Sequence, residues 1–79
     1  MDPMFAPPAW YYVDSWLWVP STWGGGGGQW LKETSKGPFY ESPWSADFET
    51  TWQENNLRTK GKYIVRRYRW TGSTWIREV

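Results

Sequence analysis

The chain contains no cysteine and no histidine. Without cysteine there is no disulfide staple and no thiolate metal site. Without histidine the common kinds of structural zinc are excluded as well, and neither a metal nor a cofactor is expected. Enzymes draw most of their general bases and many of their nucleophiles from these two residues. What remains for chemistry is carboxylates, Lys, Ser, Thr and Tyr. A carboxylate pair for glycoside hydrolysis needs a cleft to hold it, and 79 residues offer little depth. A non-enzymatic protein with no catalytic residue is expected.

Long apolar runs are missing too. Residues 9–19 (AWYYVDSWLWV) are the most apolar stretch, too short and too polar at Asp14-Ser15 to span a bilayer. Trp and Tyr favour the depth of the membrane interface. An interfacial helix, however, carries Lys or Arg on its polar face, and this stretch has neither. No membrane partner is expected. Residues 1–8 (MDPMFAPP) lack the basic region, apolar run and cleavage site of a secretory signal. They read as an extended, polyproline-like tail. Leu, Ile and Val are scarce. A chain of this length forms one domain at most and is marginal without support.

What the chain does have is nine tryptophans and five tyrosines. Tryptophan has an apolar body and a polar N–H, and is favoured at interfaces for that reason. The imbalance between aromatic and aliphatic residues predicts a chain that finishes folding against something else. The formal net charge of +1 hides a second imbalance. Acids dominate before Leu57, whereas Arg58, Lys60, Lys62, Arg66, Arg67, Arg69 and Arg77 face only Glu78 after it. The two halves are able to attract each other, within the chain or between copies.

Residues 20–29 (PSTWGGGGGQ) hold five consecutive glycines. A phosphate-binding loop would continue with Lys and Ser or Thr into a helix, and this one does not. The run reads as a flexible linker spanning about 12 Å, which lets residues 1–23 dock apart from the rest. The alternative is bare backbone packed flat under an aromatic ring or a neighbouring subunit. Residues 30–35 (WLKETS) fit a short helix or a strand, and 36–38 (KGP) a turn. Residues 39–44 (FYESPW) are extended, with Pro43 forbidding a central strand. Residues 45–55 are the best helix candidate, one or two turns capped by Ser45, with a strand as competitor because of Thr50-Thr51.

The clearest local signal is residues 62–79 (KYIVRRYRWTGSTWIREV). Two runs rich in Tyr, Ile, Val and Trp flank Thr71-Gly72-Ser73, which predicts a β-hairpin. A two-residue Gly72-Ser73 loop suits a type II′ turn, because Gly takes φ > 0 freely. That register sets Thr71 opposite Thr74, Trp70 opposite Trp75, Tyr68 opposite Arg77 and Arg67 opposite Glu78. One face then carries Ile64, Arg66, Tyr68, Trp70, Trp75, Arg77 and Val79. The other carries Val65, Arg67, Arg69, Ile76 and Glu78. The first face is expected to be the core side of a small sheet, with an aromatic ligand platform edged by arginine as the alternative.

The expected architecture is therefore mainly β: a small C-terminal hairpin or few-stranded sheet with a long, extended, irregular N-terminal arm. Its parts are the aromatic arm 1–23, a glycine linker 24–29 and a small β module 30–79.

The run Tyr68-Arg69-Trp70-Thr71-Gly72-Ser73-Thr74-Trp75-Ile76 resembles hairpins of structural and tail-associated proteins of tailed bacteriophages. The resemblance covers only the last part of the chain. It implies a virion structural protein, made in the host cytoplasm, in a capsid decoration or cement role or a tail or fibre attachment role. Its partners would be other virion proteins, with a homo-oligomer as a further option. Trp10, Tyr11, Tyr12, Trp16 and Trp18 are the expected interface anchors in pockets of neighbouring subunits. Ile64, Tyr68, Trp70 and Trp75 are expected to anchor the module, with Arg66 and Arg77 beside them. The alternative is a small module that binds carbohydrate or single-stranded nucleic acid through the same aromatic and arginine face. Residues 60–68 (KGKYIVRRY) partly match the RNA-reading strand of an RRM, with Lys62 where an aromatic belongs. The acidic first half argues against nucleic acid.

Overall fold

Strand, strand, helix, strand, strand is the order of elements in the computed structural model, which describes residues 6–79. The strands are β1 (Ala9–Pro20), β2 (Gly28–Glu41), β3 (Tyr63–Trp70) and β4 (Trp75–Arg77), and helix α1 is Pro43–Arg58. The molecule is mainly β, as expected. The strands form one sheet in the order β2-β1-β3-β4, and every neighbouring pair is antiparallel. The proline-rich tail lies partly outside the described residues.

Residues 9–19 are extended, but they are no arm. They form β1, an inner strand paired with β2 on one side and β3 on the other. Two partners satisfy the backbone donors and acceptors on both edges of such a strand. Its side chains alternate. Tyr11, Val13 and Ser15 are buried on one face, while Trp10, Tyr12, Asp14, Trp16 and Trp18 lie on the other. Both faces are apolar enough that the period-two signal is faint in the sequence. The division into arm, linker and module therefore does not describe how the chain is arranged.

The glycine run closes the β1–β2 hairpin rather than tethering a separate piece. The Ser21 N–H donates to the Gly27 carbonyl at 2.8 Å. At Gly28 the expected alternative is realised: a Cβ there would stand 2.6 Å from the Trp18 ring. Residues 30–35 are strand, and 36–38 lie within β2 at a break in register, where Tyr11 pairs with Phe39 and Val13 with Lys36. β2 is an edge strand, which is where a sheet accepts a proline such as Pro38.

The helix is longer than expected and starts earlier. Its cap is Ser42, not Ser45: the Ser45 N–H donates to the Ser42 hydroxyl at 3.2 Å. Pro43 then occupies the first turn, where its missing N–H removes no hydrogen bond. The helix buries Ala46, Thr50, Gln53 and Leu57 against the sheet. Leu57 meets Val13 and Val65 in the small apolar core, with Phe39 and Tyr63 packed around it.

The C-terminal hairpin has the expected register, with Tyr68 opposite Arg77, Arg69 opposite Ile76 and Trp70 opposite Trp75. Gly72 takes φ +104°, the sign that the turn requires. The assignment of its faces is corrected. The helix covers the Val65 and Arg67 face, so the aromatic face is the open side of the sheet and not the core side.

Much of the covered face is polar. Ser15 donates to Thr34 (2.6 Å) and Thr34 to the Gln53 carbonyl oxygen (3.0 Å). The Gln53 amide in turn donates to Glu49 at 3.0 Å. The buried Arg67 guanidinium donates to Asp47 and lies 3.3 Å from the Thr50 hydroxyl. It also lies 3.8 Å from Glu78, while its Nε has no partner among the described residues. Arg67 on Asp47, and Lys60 on Glu33 at 2.9 Å, bring the basic and acidic halves together within the chain.

Candidate functional site

The open face of the sheet gathers most of the aromatic side chains. β1 contributes Trp10, Tyr12, Trp16 and Trp18, β3 contributes Tyr68 and Trp70, and β4 contributes Trp75. Strand pairing builds the arrangement. Tyr12 lies opposite Tyr68, and their rings stack at 4.6 Å with 15° between planes. Trp75 meets Tyr12 edge-on at 4.7 Å and Trp70 at 5.3 Å. On the other side, Trp10 packs against Tyr40 at 5.3 Å, and Trp18 meets Trp30 edge-on at 5.3 Å.

Cations occupy the remaining ring faces. Lys62 sits over both Trp18 (5.3 Å) and Trp30 (5.6 Å). Lys32 and Arg66 approach Trp16 at 5.6 Å and 5.8 Å. Such contacts attract through the ring quadrupole, by about 0.5–1 kcal/mol where solvent reaches them. Asp14 is the acid among them. It accepts from Ser35 at 2.7 Å and lies 3.8 Å from Lys32. Burial raises the Tyr12 hydroxyl pKa, with smaller contributions from Tyr68 and Asp14.

Closely packed rings that use their faces on one another stand up from the sheet. They leave hollows between them. One, of about 340 Å³, is lined by Trp10, Pro38, Trp70 and Trp75. A second, of about 280 Å³, is lined by Trp16, Trp30, Ile64 and Arg66. Both are shallow and apolar at the walls. They suit the reception of projecting side chains rather than the enclosure of a small molecule.

Nine of the ten residues singled out from sequence share this face: Trp10, Tyr12, Trp16, Trp18, Arg66, Tyr68, Trp70, Trp75 and Arg77. Tyr11 is the exception. It points the other way, 2 % exposed and 6.1 Å from Phe39, so it is an interior residue and no interface anchor. Burial raises its hydroxyl pKa, and the nearby Glu78 carboxylate adds to the effect. Sequence reasoning missed Trp30, Lys32, Tyr40 and Lys62. A signal was present: Trp18 and Trp30 bracket the glycine loop much as Trp70 and Trp75 bracket the second turn.

The helix carries a separate stripe of exposed rings, Trp44, Phe48 and Trp52, with Trp44 and Phe48 in contact at 6.0 Å. No helix among the described residues is long and apolar enough to cross a membrane. No family model, curated protein or solved structure matches the chain.

Proposed function

We propose that this chain is a non-enzymatic structural protein of a tailed-phage virion, and that it docks on neighbouring subunits through the open face of its sheet. One observation carries the docking part. The rings of that face are packed against one another and against cations, so they present ridges and hollows instead of free flat faces. A sugar or a base stacks on a free ring face. A protein partner inserts side chains between ridges, and buried aromatic anchors then dominate the binding energy. The virion part rests on the resemblance of residues 68–76 to phage structural hairpins. A decoration or cement position and a tail or fibre position both use such a face.

The four cations of the open face favour a second reading, single-stranded nucleic acid held by phosphate contacts. Salt separates the two. Binding to an oligonucleotide that weakens steeply with salt and is lost on Arg66→Glu would establish the second reading.

The test of the first is the protein content of purified virions from the source phage. The chain is expected in the particles. The variant Trp10→Ser/Tyr40→Ser is expected to be folded yet depleted at least about tenfold, because a central aromatic anchor contributes ~2 kcal/mol or more. Absence of the unmodified chain from the particles overturns the virion reading. Full incorporation of the variant overturns docking through this face.

A further inference from the structure

The β1–β2 hairpin runs past the rest of the sheet. β3 stops pairing with β1 at Leu17↔Tyr63, with one more bond from the Trp18 N–H to the Lys62 carbonyl at 2.9 Å. β1 and β2 stay paired out to Pro20↔Gly28. The turn beyond therefore projects on two strands alone. No Asp, Glu, Lys or Arg occurs from Ser15 through Leu31. At the tip Trp23 is 93 % exposed, and Val19 and Leu31 are exposed behind it.

Side chains are layered along this hairpin. Trp23 comes first. Then follows the edge-to-face pair of Trp18 and Trp30. Then come the cations, Lys62 over that pair and Lys32 and Arg66 beside Trp16. Lys60, paired with Glu33, stands at the same level. Four cations thus face two carboxylates there, Glu33 and Asp14. The order of the layers is that of a bilayer surface. Apolar groups favour the acyl boundary, Trp favours the interface, and Lys and Arg reach anionic headgroups. We propose that the β1–β2 hairpin tip is a peripheral docking element for a bilayer surface carrying anionic phospholipid headgroups.

The backbone limits its depth. Glycines 24–26 offer amides and carbonyls with no side chain to shield them, and unpaired backbone groups stay out of the hydrocarbon. The tip therefore rests in the interfacial zone and does not cross. An interfacial helix has to carry its cations on its own polar face, and the expectation of no membrane partner holds for that geometry alone. In the sheet the cations come from β2, from β3 and from the residues leading into it, and no window of β1 displays them. The proposal does not depend on the docking of the open face in a virion.

The test uses the full chain and vesicles of phosphatidylcholine, alone or mixed with phosphatidylserine. The chain is expected to sediment with the mixed vesicles and far less with phosphatidylcholine alone. Trp23→Ser should weaken this at least about tenfold without altering the fold, since Trp23 packs against so little. Lys62→Gln should weaken it roughly fivefold. Because the chain has no cysteine, Thr22→Cys and Asn55→Cys accept single polarity-sensitive dyes. The dye at 22 should shift with the mixed vesicles, and the dye at 55, on the exposed side of the helix, should not. No sedimentation with either vesicle overturns the proposal, and so does binding that leaves the dye at 22 silent or survives Trp23→Ser. Equal binding to both vesicles removes the anionic headgroup from it.

Discussion

The two faces of the sheet invert the usual placement of residues. The covered face, under the helix, has a small apolar centre of Val13, Leu57 and Val65, bordered by Ser15, Thr50, Gln53 and Arg67. The open face holds most of the tryptophans. A fold that needed its tryptophans for stability would have placed the helix over them. Here the helix covers the more polar side, and each polar group there is tied to a neighbour, apart from the Arg67 Nε. The difference places burial under α1 at the centre of the fold, and on the proposed reading the aromatic content of the open face serves contact with a partner. Hydrophobic stabilisation follows area removed from water, and the half-buried rings of the open face have more of it to give than the buried centre does.

The strongest way to break this comparison is to remove β1. Deleting residues 1–23 takes out the strand that both faces share and leaves β2 without a partner. The whole sheet is expected to unfold, read as loss of dispersion in the amide NMR spectrum. A C-terminal hairpin that kept its native shifts in that fragment would show it to be an independent module. Next in size is Leu57→Ala, in the centre of the covered face. It should cost about 2–5 kcal/mol, enough in a domain this small to depress thermal unfolding severely.

Gly72→Val probes the hairpin that serves both faces. Its φ of +104° resists a β-branched residue, and a loss of about 1–3 kcal/mol is expected by denaturant unfolding. Smaller still is the effect of pH on Tyr11. Its hydroxyl pKa is raised in the folded state, chiefly by burial and then by Glu78. The unfolded tyrosine ionises near its ordinary value of 10.0, before the folded one does. Its contribution is therefore complete below that pH and is lost as pH rises towards the folded value. Tyr11→Phe should move the alkaline unfolding midpoint upward, as followed by far-ultraviolet circular dichroism.

The features legible in the sequence were those set by near neighbours. The hairpin register follows from a short turn with glycine at a position that demands it, and the structure repeats it at Trp70 opposite Trp75 and Tyr68 opposite Arg77. β1 was legible as extended but not as an inner strand, because its two faces are both apolar and alternation gave no contrast. The helix was shortened because its buried stripe of Ala46, Thr50, Gln53 and Leu57 is only weakly apolar. Pro43 read as forbidding a central strand, whereas it sits in the first turn of a helix capped by Ser42. The candidate site was half legible. Residues of β1, β3 and β4 were named, but the partners on β2 depend on a pairing closed by a glycine loop that resembles a linker.

The direct test of the division between the faces is equilibrium urea unfolding of Trp10→Ser/Tyr40→Ser beside the unmodified chain. Both residues are large, aromatic and half-exposed on the open face, and they touch each other at 5.3 Å. A cross-strand aromatic pair contributes about 0.2–1 kcal/mol. A loss within that range and an unchanged dependence on urea are expected. A loss as large as that of Leu57→Ala would contradict the division, and would mean that the open face helps to hold the fold.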